Sequence, residues 1–82
     1  MSLPLDQLPL DARAVIVDLS AAHQPPTQWL HQLKDLGFLP GEPVQVLHRT
    51  APGGDPLVVR VGDSRFALRR AEARCVLVAR AE

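Results

Sequence analysis

The most constraining stretch of this chain lies at residues 29–41, where an amphipathic segment ends at a glycine and runs into a Pro-Gly turn. Its apolar residues recur at helical spacing, which places them on one helix face. That face holds Trp29, Leu30, Leu33 and Leu36, and the opposite face holds His31, Gln32, Lys34 and Asp35. Gly37 suits the left-handed conformation that closes a helix, and Pro40-Gly41 favours a tight turn. We predict a short helix from about Thr27 to Leu36, followed by a corner that Phe38 and Leu39 anchor.

Short β-branched runs, separated by turn residues, occupy most of the remaining chain. Eight prolines and five glycines in 82 residues imply many turns, which favours short strands over long helices. Runs with the composition of strands lie at residues 13–19, 44–49, 57–61, 65–69 and 75–79. About five strands, with one helix between the first and the second, predict a small antiparallel β-barrel.

The first twelve residues carry several leucines but no regular pattern. Pro4 and Pro9 interrupt the segment and exclude a regular helix. The leucines are too many for a free tail. We therefore expect this N-terminal arm to pack across the outside of the fold.

Charge and cysteine usage narrow the class of protein. The formal net charge is zero, divided between −2 in residues 1–41 and +2 in residues 42–82. The single cysteine, Cys75, excludes an internal disulfide and favours the cytosol. No apolar run is long enough to span a membrane, and we expect no signal peptide. We expect one cytoplasmic domain over residues 1–82.

Groups for catalysis and metal binding are sparse. The histidines His23, His31 and His48 are scattered, and Cys75 lies in an apolar strand where a thiol is inert. His31 and Asp35 are one helical turn apart, but two exposed ligands make a weak metal site. The Gly53-Gly54-Asp55 segment lacks the lysine of a phosphate-binding loop. We expect no catalytic residue, no resident metal and no cofactor, and hence no enzyme.

Binding functions remain, and more than one is open. Single-stranded nucleic acid binds to small barrels through stacking aromatics and a basic groove. The aromatic residues Trp29, Phe38 and Phe66 all occupy core-like positions, so we expect no nucleic acid partner. The arginine-rich C-terminal half keeps a nucleic-acid or regulatory module open, and a metal-sensing module is a further alternative. A module that binds a protein partner is our first hypothesis.

Four segments in register resemble the FeoA domain family. The first is Leu30-x-x-Leu33-x-x-Leu36-Gly37-Phe38-x-Pro40-Gly41, and the second is Gly54-Asp55-Pro56-Leu57 with Val59 and Val61. The third is Ala67-Leu68-Arg69-Arg70-x-Glu72-Ala73, and the last is the strand Val76-Leu77-Val78. Residues 9–12 depart from the family's usual Pro-x-Gly approach to the first strand.

The resemblance implies a fold, a function and a partner. The fold is an SH3-like antiparallel β-barrel. The function is that of a small cytosolic accessory protein of bacterial ferrous iron uptake, and the partner is the FeoB transporter, a membrane protein with a GTP-binding domain. No enzymatic activity and no cofactor are implied. The same fold occurs as the C-terminal domain of DtxR-type metal-dependent repressors, which keeps the regulatory alternative open. The oligomeric state is not implied.

Two sets of residues follow as expectations. We expect partner contact from exposed groups that the core does not need, on the helix and in the loop at residues 50–56: His31, Lys34, Asp35, Gly53, Gly54 and Asp55. We expect a structural role for the residues of the helix and its exit corner: Leu33, Leu36, Gly37, Phe38, Pro40 and Gly41.

Overall fold

The computed structural model describes residues 1–50 and 53–81, in which every strand pairs antiparallel within a single sheet. The strands are β1 (Ser2–Pro4), β2 (Ala14–Leu19), β3 (Pro43–Arg49), β4 (Leu57–Val61), β5 (Ser64–Leu68) and β6 (Val76–Arg80). The helical elements are a 3₁₀ turn (Leu5–Gln7), the helix α1 (Thr27–Leu36) and the single turn α2 (Arg70–Ala73). The spatial order of the strands is β1-β6-β2-β3-β4-β5.

The sheet differs from the predicted five-stranded barrel in two respects. The additional strand β1 precedes the first predicted one, so α1 lies between the second and third strands of the chain. Within the residues that the structure describes, the terminal strands β1 and β5 do not pair with each other. Instead, α2 contacts both β5 and the 3₁₀ turn that follows β1. Helical turns therefore lie between the two ends of the sheet.

The N-terminal arm belongs to the sheet and the core, so the prediction that it packs on the outside is wrong. Leu3 pairs with Val78 of β6, and both Leu5 and Leu8 are fully buried. The prolines permit this arrangement because Pro4 lies in the edge strand β1. Proline is tolerated in an edge strand, since the side without a partner strand needs no N–H donor. The leucines of the arm thus complete the core.

Alternation along the strands gives the sheet an inner and an outer face. The inner face carries the apolar core, which includes Ala14, Ile16, Val44, Val46, Leu57, Val59, Val61, Val76 and Val78. The strand residues between them point to the outer face. The register shifts once in β2, between Ile16 and Asp18, and once in β3, between Val46 and His48. Such bulges bend and twist a strand, which helps a short sheet to curve around its core.

Helix α1 covers the core with a narrower face than its periodicity predicted. Leu33 is buried, and Trp29 and Leu30 pack against the core at its margin. Leu36, however, is 40% exposed, so its predicted core position is wrong. Leu36 is the last residue of α1, and the chain changes direction at Gly37, directly after it. Phe38 takes the place in the core instead and is fully buried.

Candidate functional site

The corner after α1 is attached to β2 by backbone hydrogen bonds. Gly37 takes a φ of +109° and ends the helix, and the N–H of Phe38 donates to the Leu33 carbonyl at 3.0 Å. Gly41 takes a φ of +90°, and its N–H donates to the Ile16 carbonyl at 2.7 Å. Both glycines adopt a conformation that other residues rarely reach. The hydrogen bond from Gly41 thus joins the Pro-Gly turn to β2, just before β3 begins.

Three large apolar side chains are exposed around this corner. They are Val17, Leu36 and Leu39, with exposures of 45%, 40% and 44%. Leu39 was expected to anchor the corner, but only Phe38 does so. Val17 follows Ile16, whose carbonyl accepts the hydrogen bond from the Gly41 N–H, so the backbone next to Val17 is bonded to the corner. We name the group Val17, Leu36 and Leu39 the corner surface. Exposed apolar residues that are grouped rather than scattered mark interaction sites.

The polar face of α1 lies beside the corner surface. His31, Lys34 and Asp35 are all exposed, as the helical periodicity predicted. Their side chains make no hydrogen bond or ion pair with other residues in the part of the chain that the structure describes. Their predicted contact with a partner stays a prediction.

The described part of the glycine-rich loop at residues 50–56 forms hydrogen bonds with α2 and with the residue that follows β3. Asp55 Oδ1 accepts a hydrogen bond from the Arg70 N–H, at the start of α2, at 3.1 Å. The Gly54 N–H donates to the Thr50 carbonyl at 2.8 Å, and Gly54 packs beside the Arg49 side chain. Gly53 is exposed. The predicted site included residues 51 and 52, which lie outside the described residues. Among the described ones, no hydrogen bond joins this loop to the polar face of α1.

The arginines of the C-terminal half do not form one basic surface. Arg49 donates to the Leu8 carbonyl at 2.7 Å and fastens β3 to the N-terminal arm. Arg70 and Arg74 both approach Asp6, at 4.0 and 3.9 Å. Phe38 is buried, and Trp29 and Phe66 are partly buried against the core. The chain's aromatic rings therefore provide no exposed stacking platform for nucleic acid.

Asp6 was not singled out from the sequence. It is the buried charged side chain of the described residues, in the 3₁₀ turn between Leu5 and Gln7. One carboxylate oxygen faces the two half-exposed arginines of α2, and the other has no hydrogen-bond partner within the described part. Both ion pairs are long and their arginines are half exposed, so they contribute little energy to offset the burial of the Asp6 carboxylate. Asp6 therefore orients the arm against α2 more than it stabilises the fold.

Cys75 is a packing residue. The side chain is buried, and its Sγ donates to the Ala71 carbonyl at 3.5 Å. Burial raises the pKa of the Cys75 thiol above its usual value of 9.0, and the nearby carboxylate of Glu72 adds to the effect. A raised pKa keeps the thiolate fraction small at neutral pH, so the group is a poor nucleophile.

The thiol should therefore be protected until the chain unfolds. At pH 8 we expect iodoacetamide to label native Cys75 much more slowly than Cys75 in guanidinium chloride, as measured by mass spectrometry. Because its folded pKa is raised, the neutral thiol contributes full stability below pH 9, and this contribution falls as the pH rises through the folded pKa. Equal labelling rates in the two conditions would show that Cys75 is accessible.

The described residues form neither a metal-binding cluster nor a membrane-spanning helix. Residues 1–50 and 53–81 hold no group of three or more histidine, cysteine, aspartate or glutamate residues placed to share a metal ion. In the same residues, no helix has both the length and the apolarity that a membrane crossing requires.

The fold and these surfaces define a small antiparallel β-domain with one covering helix and an exposed apolar corner. The family model for the FeoA domain matches residues 3–80, and the chain belongs to the FeoA family. No protein with a curated functional description shows significant similarity to the chain.

Solved structures agree with this assignment. FeoA of Stenotrophomonas maltophilia in complex with zinc, described as a procaryotic SH3 domain protein, is 39% identical, with a TM-score of 0.81 over 94% of this chain and 89% of that one. A crystal structure of the iron uptake regulatory protein FeoA is 25% identical, with a TM-score of 0.80 over 99% and 100% of the two chains. A manganese-dependent transcriptional repressor, 16% identical, shares the fold with a TM-score of 0.82 over 98% of this chain and 42% of that one.

Proposed function

We propose that this protein is an accessory factor of bacterial ferrous iron transport that binds the cytosolic part of a FeoB-type transporter. Membership of the FeoA family supports the role in iron transport. The S. maltophilia relative is described as possibly acting as a ferrous iron transport activating factor. The partner itself is our inference from the family resemblance and from the surface described below.

The observation that carries the proposal is the exposure of the corner surface. Leu36 lies two residues before the buried Phe38 and Leu39 directly after it, so Phe38 anchors the corner in the core while both leucines are exposed. An exposed apolar group with polar residues around it has the anatomy of a protein interface, with an apolar centre and a polar rim. His31, Lys34 and Asp35 supply that rim in our proposal.

Binding to the transporter's cytosolic GTP-binding domain, measured by calorimetry, tests this function. We expect the double variant Leu36→Ser and Leu39→Ser to weaken binding at least tenfold, about 1.4 kcal/mol or more, because it removes the apolar centre of the interface. Both residues are exposed, so the free energy of unfolding should change by less than about 1 kcal/mol. The matched control is Leu10→Ser, an exposed leucine outside the corner.

The polar rim is tested separately by the triple alanine variant of His31, Lys34 and Asp35. We expect a smaller loss than for the corner variant, since exposed charges contribute about 0–1 kcal/mol each. Unchanged affinity in this triple variant would remove these residues from the site. Unchanged affinity in the corner variant, or an equal loss in Leu10→Ser, would contradict the proposed surface as a whole.

A further inference from the structure

The outer face of the sheet carries a row of basic side chains that the proposed function does not use. Gln45 of β3 pairs with Arg60 of β4, and Arg60 pairs with Arg65 of β5. On the other side, Arg13 precedes Ala14, which pairs with Val44, so Arg13 comes opposite Gln45. Arg13, Gln45, Arg60 and Arg65 thus form one line across four strands, which we name the arginine row.

The row is held by hydrogen bonds at its centre. Gln45 Oε1 accepts from Arg60 Nη2 at 2.7 Å, and Gln45 Nε2 donates to the Asp11 carbonyl at 2.9 Å. Gln45 is therefore fixed from both sides and positions the Arg60 guanidinium. The side chains of Arg13 and Arg65 are exposed. No ion pair within the described residues joins the three arginines of the row to a carboxylate.

Arg60 and Arg65 are also direct cross-strand neighbours. Adjacent strands lie about 4.8 Å apart, and like charges directly opposite each other destabilise a sheet. The turn between the two strands is short, with Gly62 at a φ of +56°, which keeps the pair in this register. A bound anion would relieve the repulsion between the two guanidinium groups.

An apolar cavity adjoins the row. It has a volume of about 320 Å³ and lies between the start of β2, the start of β3 and the end of β4. Its apolar lining includes Val15, Pro43 and Val44, and its polar lining is Arg13, Gln45 and Arg60. Two acidic residues lie nearby: Glu42 beside Gly62, and Asp11, whose carbonyl accepts the hydrogen bond from Gln45.

We propose that the arginine row and this cavity bind an acidic polypeptide segment of a protein partner that carries apolar side chains between its carboxylates. The carboxylates pair with the exposed arginines, and the apolar side chains enter the cavity. Charge complementarity selects the acidic segment, since the protein as a whole is neutral while the row carries three positive charges without a paired carboxylate. The absence of an aromatic side chain from the row disfavours single-stranded nucleic acid. The inference does not depend on the corner surface or on the transporter.

A short fluorescent peptide of alternating glutamate and valine, followed by anisotropy at low salt, tests the inference. We expect the peptide to bind, and the double variant Arg13→Gln and Arg65→Gln to bind it about tenfold more weakly. Both side chains are exposed, so the variant should fold, and its circular dichroism spectrum checks this. The charge-matched control is the double variant Lys34→Gln and Arg69→Gln, two exposed cations outside the row, which should bind within about twofold of the parent protein.

Three results would overturn the inference. One is a failure of the peptide to bind the parent protein. Another is an equal loss of affinity in the row variant and in the double variant Lys34→Gln and Arg69→Gln, which would indicate attraction by net charge alone. The third is tighter binding of oligothymidylate than of the peptide, with the same loss in the row variant, which would assign the row to nucleic acid. A peptide with glutamine in place of glutamate should not bind in any variant.

Discussion

Replacing Phe38 with alanine should cost about 3–5 kcal/mol of unfolding free energy, the range for a fully buried phenylalanine. Phe38 has no exposed surface, and its ring centroid lies 5.9 Å from that of Phe66 at an interplanar angle of 46°. The substitution therefore removes an aromatic contact and opens a cavity between α1 and the sheet. Small domains have a total stability near the lower end of about 5–15 kcal/mol, so much of the variant should be unfolded at 37 °C.

Urea denaturation followed by circular dichroism measures this effect, and the adjacent residue supplies the control. Leu39 follows Phe38 in the same corner but is 44% exposed. We expect Leu39→Ala to change the unfolding free energy by less than about 1 kcal/mol. Equal costs for the two variants would mean that the orientation of the corner is wrong.

Replacing Leu5 with alanine should cost about 2–5 kcal/mol, which is a large effect for a residue so close to the N-terminus. Leu5 is fully buried in the core that β6 and the 3₁₀ turn share. If the arm packed only across the outside, the same substitution would cost far less unfolding free energy, because the leucines would remain partly exposed in the folded state.

Leu10→Ala is the matched control, because Leu10 lies in the same arm but is 52% exposed. We expect its midpoint of denaturation to stay close to that of the parent protein. If Leu5→Ala were equally harmless, β1 and the 3₁₀ turn would not be an integral part of the fold.

Where a local pattern determines the structure, the sequence predicted it well. Helix α1 has the predicted bounds because its periodicity, Gly37 and the preceding prolines all act within a few residues. Strand β4 likewise has the predicted bounds, since its alternation ends at the Gly62 turn. The FeoA family was also identified correctly from four short motifs.

The sequence was less informative where structure depends on distant contacts. Strand β1 has three residues beside a proline, which is too short for any periodic signal, and its existence depends on pairing with β6. The periodicity of α1 gave the direction of Leu36 but not the point at which the core ends. The arginine row depends on the pairing registers of four strands, which spacing along the chain does not reveal.

The corner surface and the loop illustrate the same limit for the candidate site. The exposed face with His31, Lys34 and Asp35 followed from helical periodicity alone. The corner surface did not, because Val17 joins it through the bond between Gly41 and Ile16, residues far apart along the chain. The role of Asp55 at the start of α2 also required the fold.

The most direct test of the proposed function is an NMR titration of the isotope-labelled protein with the cytosolic domain of a FeoB-type transporter. We expect the largest amide shift changes at Val17 and at residues 31–39, where the corner surface and the polar face of α1 lie. The amides of β1 and of the 3₁₀ turn should be unaffected. Absence of any shift, or changes confined to the N-terminal arm or to the arginine row, would contradict the proposal that the corner binds the transporter.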